Sequence, residues 1–425
     1  MISLVISAPI NTYSGYGARA RDVVKALIKT GKYDINVLSQ RWGNTRSGYL
    51  RDHNEDELTS LVIPQLSFKP DVWIQISVPN EFQAVGKYNI GMTAGIETTL
   101  CDGSWIEGLN RMDLNLVSSE HAKNVFLGTK LDAFDSKTKQ KIKELKVEKP
   151  VEVLFEGIDV QKYLTVNKQS DLFKSISTIK EEFCFLSVGH WMQGDFGEDR
   201  KNIGYTIKTF LETYKNGAFK SKKIPALILK THSVGTSIMD RDKILAKIDQ
   251  IRSTVTGTLP NIYLLHGEVT DDEMADLYNH PKVKAYVSHT KGEGFGRPLL
   301  EFAATGKPVI ASGWSGQVDF LNREDSILLG GTLQKVHPSA VLKNMITQEA
   351  LWFRPNDSDV SKAYKQVTKH YKKTQEGAKR QAHKIKNNFT FDKMVELLDK
   401  TLDNNLPDFP KEIKLTLPKL ELPKL

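Results

Sequence analysis

The chain is poor in cysteine: its 425 residues include only Cys101 and Cys184. One pair cannot staple a chain of this length, and no Cys/His spacing suited to zinc is present, which points to a reducing compartment, the cytoplasm. Nor does any stretch approach the roughly 18 consecutive apolar residues of a membrane-spanning helix. The opening MISLVISAPI has no basic segment before its apolar run and no small-residue cleavage site, so it reads as a core strand and not as a signal peptide. No G-x-G-x-x-G follows that strand, and SGYGARA has the wrong spacing, which argues against a dinucleotide-dependent dehydrogenase. What the composition does hold, 40% hydrophobic and 26% charged residues, suits two or three well-cored globular domains of about 150 residues each.

The net charge of +8 is local. Residues 1–165 hold 20 basic and 20 acidic side chains, whereas 361–388 hold nine Lys/Arg against Glu376 alone. That segment by itself equals the whole excess. Ala363, Val367 and Tyr371 recur every fourth residue in it, as on one face of a helix. It reads first as a solvated helical face and second as a contact for a polyanion, carried by Lys369, Lys372, Lys373, Lys379 and Arg380. A second basic run, SKTKQKIKELKVEKP at 136–150, reads as an exposed helix or loop.

Short apolar runs alternate with helical patterns, the rhythm of a parallel α/β sheet. SLVISAPI, DINVLS, DVWIQISV, NIGMTAG, LNLVSS and VEVLFEGID form one set of strands, with a helix at GYGARARDVVKALIKTG. The rhythm restarts with FCFLSVG, ALILKTHS, NIYLLHG, VKAYVSH, PVIASG and SILLG, with helices near 202–215, 237–253, 271–279 and 297–305. The domains expected are 1–165, 180–360, a helical region 361–403, and an extended Pro-containing tail 404–425. Two doubly wound units would face each other across a cleft, at the carboxyl ends of their strands.

The densest chemical signal is SHTKGEGFGRPLLEFAATGKPVIASG at 288–313. A strand runs into Gly292-Glu293-Gly294-Phe295-Gly296, then Arg297-Pro298 begins a helix. Proline suits a first helical turn, glycines admit close backbone approach, and a helix N-terminus favours a diphosphate. Glu293 and Glu301 flank that turn, and carboxylates accept paired hydrogen bonds from vicinal hydroxyls, as a nucleotide sugar would present.

GEGFGRPLLEFAATGKPVIAS resembles the E-x7-E signature of retaining GT-B glycosyltransferases of family four, the "group 1" transferases. The resemblance extends in order over roughly residues 3 to 400: SAPINTYSGYGARARDVVKAL, the E-T-x and S-E segments of 91–126, VLFEGIDVQKY, FLSVGHWMQGDFGEDRKN and HGEVTDDEMADLY. It looks like the low-GC tailed-phage versions of that family, for which the compartment would be the host cytoplasm. It implies a GT-B fold, with two Rossmann-like doubly wound domains around a central cleft and C-terminal helices packing back on the N-terminal domain.

The family's site residues carry over position by position. Glu293 would contact the donor sugar and Glu301 the ribose, with the backbone of Gly294, Phe295 and Gly296 against sugar and phosphate. Gly15 and Gly17 would line the cleft, and Val269 would border the base. Arg200 and Lys201 would hold the departing diphosphate, whose developing charge needs fixed cations. Where many members have Arg after the strand glycine, this chain has His190, so the phosphate contact would fall to His190 or Arg297. At the strand end where relatives place a His, this chain offers Thr93 and Glu97, and Glu97 would orient the acceptor hydroxyl or serve as a buried structural carboxylate. Glu293, Glu97 and Lys201 are thus the catalytic candidates. The resemblance implies a nucleotide-sugar co-substrate, UDP-sugar ahead of GDP-sugar, with no cofactor and no metal. Asp240-Arg241-Asp242 spells a metal-clamp pattern but falls on an expected helix. For the acceptor, a hydroxymethylated base in DNA is placed first, a surface glycan or lipid-linked saccharide second. A non-catalytic sugar-nucleotide-binding module is the remaining reading.

Overall fold

The computed structural model describes residues 1–135, 138, 140–217, 224–233 and 235–409. The apolar runs of the first half become strands β1 (Ile2–Ala8), β2 (Tyr33–Ser39), β3 (Val62–Ile63), β4 (Val72–Ile76), β5 (Tyr88–Thr93) and β6 (Leu114–Val117). Next come a separate hairpin, β7 (Leu131–Phe134) and β8 (Lys141–Leu145), and then β9 (Val151–Val153). All but the hairpin form one parallel sheet in the order β3-β2-β1-β4-β5-β6-β9. The second half repeats the plan with β10 (Cys184–Val188), β11 (Ala226–Lys230), β12 (Ile262–Leu265), β13 (Val283–Ser288), β14 (Val309–Ser312) and β15 (Ile327–Leu329). Their order is β12-β11-β10-β13-β14-β15, again all parallel. This is the two-unit GT-B architecture expected. Strand order reverses between β1 and β4 and between β10 and β13, and a crevice opens at the carboxyl ends of such pairs.

The first helix, Gly15–Thr30, is delimited by its own chemistry. The Ser14 hydroxyl accepts from the Gly17 N–H at 2.9 Å, and Gly31 ends the helix at φ 66° while its N–H donates to Ile28. Ala20, Val23, Val24 and Leu27 turn inward on the sheet.

The helices Asp357–Lys369 and Tyr371–Asn388 remain on the second domain, with Val360, Tyr364, Val367 and Ile385 in its core. The chain then recrosses. Phe391 donates its N–H to Ile158 O at 2.9 Å, and Ile158 donates to Phe389 O at 3.1 Å. Helix Phe391–Asn405 completes the core of the first domain with fully buried Met394, Leu398 and Leu402. Lys32 pairs with Asp399 at 2.7 Å and Asp403 at 2.8 Å across the same contact. The proline-containing segment from 410 to 425 lies outside the described residues.

Three differences from the sequence reading have plain causes. The run 136–150 is neither helix nor simple loop: its described part includes β8, paired antiparallel with β7. Lys141, Ile142, Lys143 and Glu144 are all exposed there, so no alternation of burial marks the strand. The basic segment 361–388 is broken at His370 (φ −121°, ψ 38°) into two helices. An unforeseen antiparallel hairpin, β16 (Gly331–Lys335) with β17 (Leu351–Pro355), follows β15. Between its strands the chain reaches the first domain, where Trp105 donates its indole N–H to Asn344 O at 2.6 Å. Thr99 and Leu351 exchange two hydrogen bonds of 2.9 Å beside it.

Candidate active site

Beyond β13 the chain runs along the seam between the domains, and two contacts bring Arg200-Lys201 to it. Lys291 donates its N–H to Arg200 O at 2.8 Å, and Asn202 donates its amide to His289 O at 3.1 Å. Asn202 adopts φ 56° to begin helix Ile203–Tyr214. Arg200 and Lys201 therefore converge on the Glu293 carboxylate. Lys201 Nζ lies 2.6 Å and 2.8 Å from its two oxygens, and Arg200 Nη1 lies 3.2 Å from one of them. Burial opposes ionisation of Glu293, yet Lys201 and then Arg200 outweigh it and hold the carboxyl below the usual range. Arg200 Nη1 also donates to Gly292 O at 2.9 Å and stands 3.6 Å from Glu97 of the first domain.

The glycines of this loop are sites of close approach. A Cβ on Gly292 would lie 1.9 Å from Glu97 O, and one on Gly294 2.4 Å from Ala94 O. The β5 end of the first domain thus presses its backbone onto the Gly-rich loop of the second. From behind, Ser315 supports the loop at φ 70°, ψ −162°, a conformation costly for a residue with a side chain. Its hydroxyl accepts from the Glu293 N–H at 2.9 Å and is held by Gln317.

Glu301 sits in helix Arg297–Ala303, which Pro298 opens after Gly296 at φ 100°. Tyr163 donates to its Oε1 at 2.7 Å, Tyr278 to its Oε2 at 3.2 Å, and Arg297 Nε to Oε1 at 3.0 Å. Burial raises the carboxyl above its ordinary value, with Arg297 as the main counterweight. The guanidinium of Arg297 also pairs with Asp22 on the first helix, so it spans the cleft.

The remaining sequence-predicted residues divide. A Cβ on Gly17 would meet Thr12 O at 2.3 Å, so this glycine is needed for the turn, whereas Gly15 has nothing within 4 Å. His190 follows β10 but contacts the Ser233 carbonyl and stacks on His232 at 4.9 Å. Burial first, then His232, pull it down to about 4, so near neutral pH it is uncharged. Val269 directly precedes Thr270, the cap of helix Asp271–Asn279. Asp240 does stand on a helix, Ile238–Ser253, where its carboxylate accepts from the Ser233 N–H at 2.9 Å and lies 3.0 Å from His266 Nε2. Lys373 and Arg380 line a groove with Pro308 and Ile327, and a Cβ on Gly306 would lie 3.5 Å from Lys379. Those positions precede or begin β14 and β15, whereas Glu293 and Ser315 follow β13 and β14. The basic helices therefore skirt the edge of the sheet opposite the cleft. Sequence reasoning missed Asp22, Tyr163, Tyr278 and Ser315. Of these only Ser315, in GWSGQ after a strand, carried a local signal.

No protein-family model matches the sequence, and no curated protein matches it. Solved structures do. HepE of Anabaena, in complex with UDP and glucose, superposes with a TM-score of 0.62 at 11% identity, over 95% of this chain and 100% of that one. A glycosyltransferase from Rickettsia africae gives 0.63 at 11%, over 96% and 99%. Sucrose-phosphate synthase from Thermosynechococcus elongatus gives 0.61 at 10%, over 95% and 99%. Likeness over nearly the full length of both partners, at so low an identity, identifies the architecture: this chain has the two-domain GT-B fold seen in those glycosyltransferases.

Proposed function

We propose that the chain is a retaining glycosyltransferase that moves a sugar from a UDP-sugar to an acceptor hydroxyl. The observation that carries the reading is the convergence of Arg200 and Lys201 on Glu293 in the seam, beside the glycine loop. In this reading 1–165 is the acceptor-side domain and 180–360 the donor domain, and within the helical region 361–403 the crossing back falls to the helix from Phe391. The glycine backbone at 294–296 and the Arg200–Lys201 pair take the diphosphate, Glu293 faces the sugar and Glu301 the ribose. The bond from the anomeric carbon to the β-phosphate oxygen breaks with its electron pair moving to phosphate, where fixed cations stabilise the charge. The acceptor oxygen bonds to that carbon on the same face, and its proton passes to the leaving phosphate. Glu293, held between two cations, is not poised as a nucleophile of the glycosidase kind. That three of the similar structures hold UDP, UDP and glucose, or UDP-glucose supports the choice of nucleotide.

Two acceptor classes divide the observations. The basic helices support a hydroxymethylated base in DNA. Their place away from the cleft, with the charge balance of residues 1–165, supports a neutral saccharide hydroxyl instead. The test is a screen of UDP- and GDP-sugars against hydroxymethylcytosine duplex, plain duplex and simple glycans, read by nucleoside-diphosphate release and product mass. Release from UDP-sugars with a sugar-sized mass gain on one class assigns that acceptor. Silence with every donor would overturn the enzymatic reading in favour of a binding module.

A further inference from the structure

The basic surface has a geometry of its own. On helix Tyr371–Asn388, residues Lys372, Lys373, Lys379, Arg380, Lys384 and Lys386 fall within an arc of about 160° at 100° per residue. The opposite arc holds Gly377, Ala378, Gln381, Ala382 and Ile385, all buried. The six cations are exposed. Asp325 takes up Arg380 and Lys384 at 2.8 Å each, while Lys372, Lys373, Lys379 and Lys386 have no carboxylate partner among the described residues. Lys362, Lys365 and Lys369 extend the row along the preceding helix, also exposed.

Beside this row runs a groove of about 640 Å³ between 323–328 and 366–380, where Arg323, Lys373 and Arg380 face Glu324, Asp325 and Glu376. The groove is thus charge-balanced, and the excess of positive charge lies on the row of lysines beside it. No exposed large hydrophobic side chain lies between 346 and 409 among the described residues, so the face lacks the apolar anchors of a membrane-surface helix. Over the roughly 27 Å of the 18-residue helix, one strand of B-form duplex presents about eight phosphates. We propose that this face docks the phosphodiester backbone of duplex nucleic acid, at a site separate from the cleft. The site does not depend on the sugar-transfer reading and is tested by binding alone.

The test is fluorescence anisotropy of a labelled 20-base-pair duplex with the full chain, from 50 to 300 mM KCl. Binding should weaken steeply with salt. The variant Lys372→Glu/Lys373→Glu/Lys379→Glu/Lys386→Glu should bind at least about tenfold more weakly at 100 mM and lose about 3.6 from the logarithmic salt slope, at 0.9 per phosphate contact. The corresponding Lys→Gln set should show the same loss in smaller measure, with circular dichroism confirming the fold of both. A control with equal charge change elsewhere, Lys69→Glu/Lys143→Glu/Lys146→Glu/Lys168→Glu, should keep most of the affinity. An equal loss in the control, no duplex binding by the parent chain, or binding to anionic phospholipid vesicles in place of duplex would each overturn the proposal.

Discussion

Replacing Gly292 by alanine tests whether the two domains must touch at the Gly-rich loop. The new Cβ would stand 1.9 Å from Glu97 O, a backbone atom with no rotamer to retreat into. Restoring 3.0 Å, about the shortest separation a real Cβ tolerates, requires the two loops to part by about 1.1 Å. Neither hydrophobic core is involved, so the expected cost falls on site geometry. A misplacement near 1 Å can reduce an enzyme's rate by about 100-fold, or roughly 2.7 kcal/mol of barrier. Gly292→Ala should therefore lower kcat/KM for UDP release about 100-fold while Tm moves by no more than a few degrees. Gly128→Ala, with nothing within 4 Å of the added carbon, is the matched control and should leave both unchanged. A Gly292→Ala enzyme within threefold of the parent would refute the claim that this contact sets the working geometry.

Other expectations follow from the same site. Glu293→Gln would strand two buried cations and should destabilise the chain by about 3 kcal/mol at pH 7. Because the folded-state carboxyl is depressed, its contribution is full above the unfolded value and fades as pH falls through the folded one. Denaturant titrations of parent and variant should accordingly converge in acid, and a constant difference would sink the argument. Glu301→Ala should raise the donor KM tenfold or more, and unchanged kinetics would remove Glu301 from the donor site. Asp199, nearly fully buried and raised to about 6 chiefly by that burial, should respond in the opposite sense. Its ionisation disfavours the fold as pH rises from the ordinary aspartate range through 6, so Asp199→Asn should gain Tm at pH 8 and none near pH 4. EDTA should leave UDP release unchanged, and a loss restored by a divalent cation would contradict the metal independence that the family resemblance implies.

Much of this architecture is readable in the sequence because its strands are buried on both faces and announce themselves as apolar runs such as FCFLSVG and VKAYVSH. The glycine loop with Glu293 is readable for a related reason, since its residues act within ten positions of one another. What escapes is held by pairs distant in the chain. Asp22 meets Arg297 across 275 positions and Tyr163 meets Glu301 across 138, and no periodicity records such partnerships. The hairpin β7–β8 escapes for lack of a buried face. Position alone makes His190 a phosphate candidate, and only the fold reveals a ring turned to the Ser233 carbonyl in surroundings that lower its pKa by burial.

The returning helix Phe391–Asn405 has a consequence for biogenesis. The first-made domain needs Met394, Leu398 and Leu402 to close its interior, whereas the second has its last core residue at Ile385. On the ribosome, where chains emerge vectorially and domains ordinarily fold in order of synthesis, the order here is inverted. The later-made domain can finish first, while the earlier one waits with an unfilled flank until residues 391–405 have emerged. A premature stop between 388 and 394 would release a chain with one complete domain and one permanently open, a natural target for chaperones and proteases.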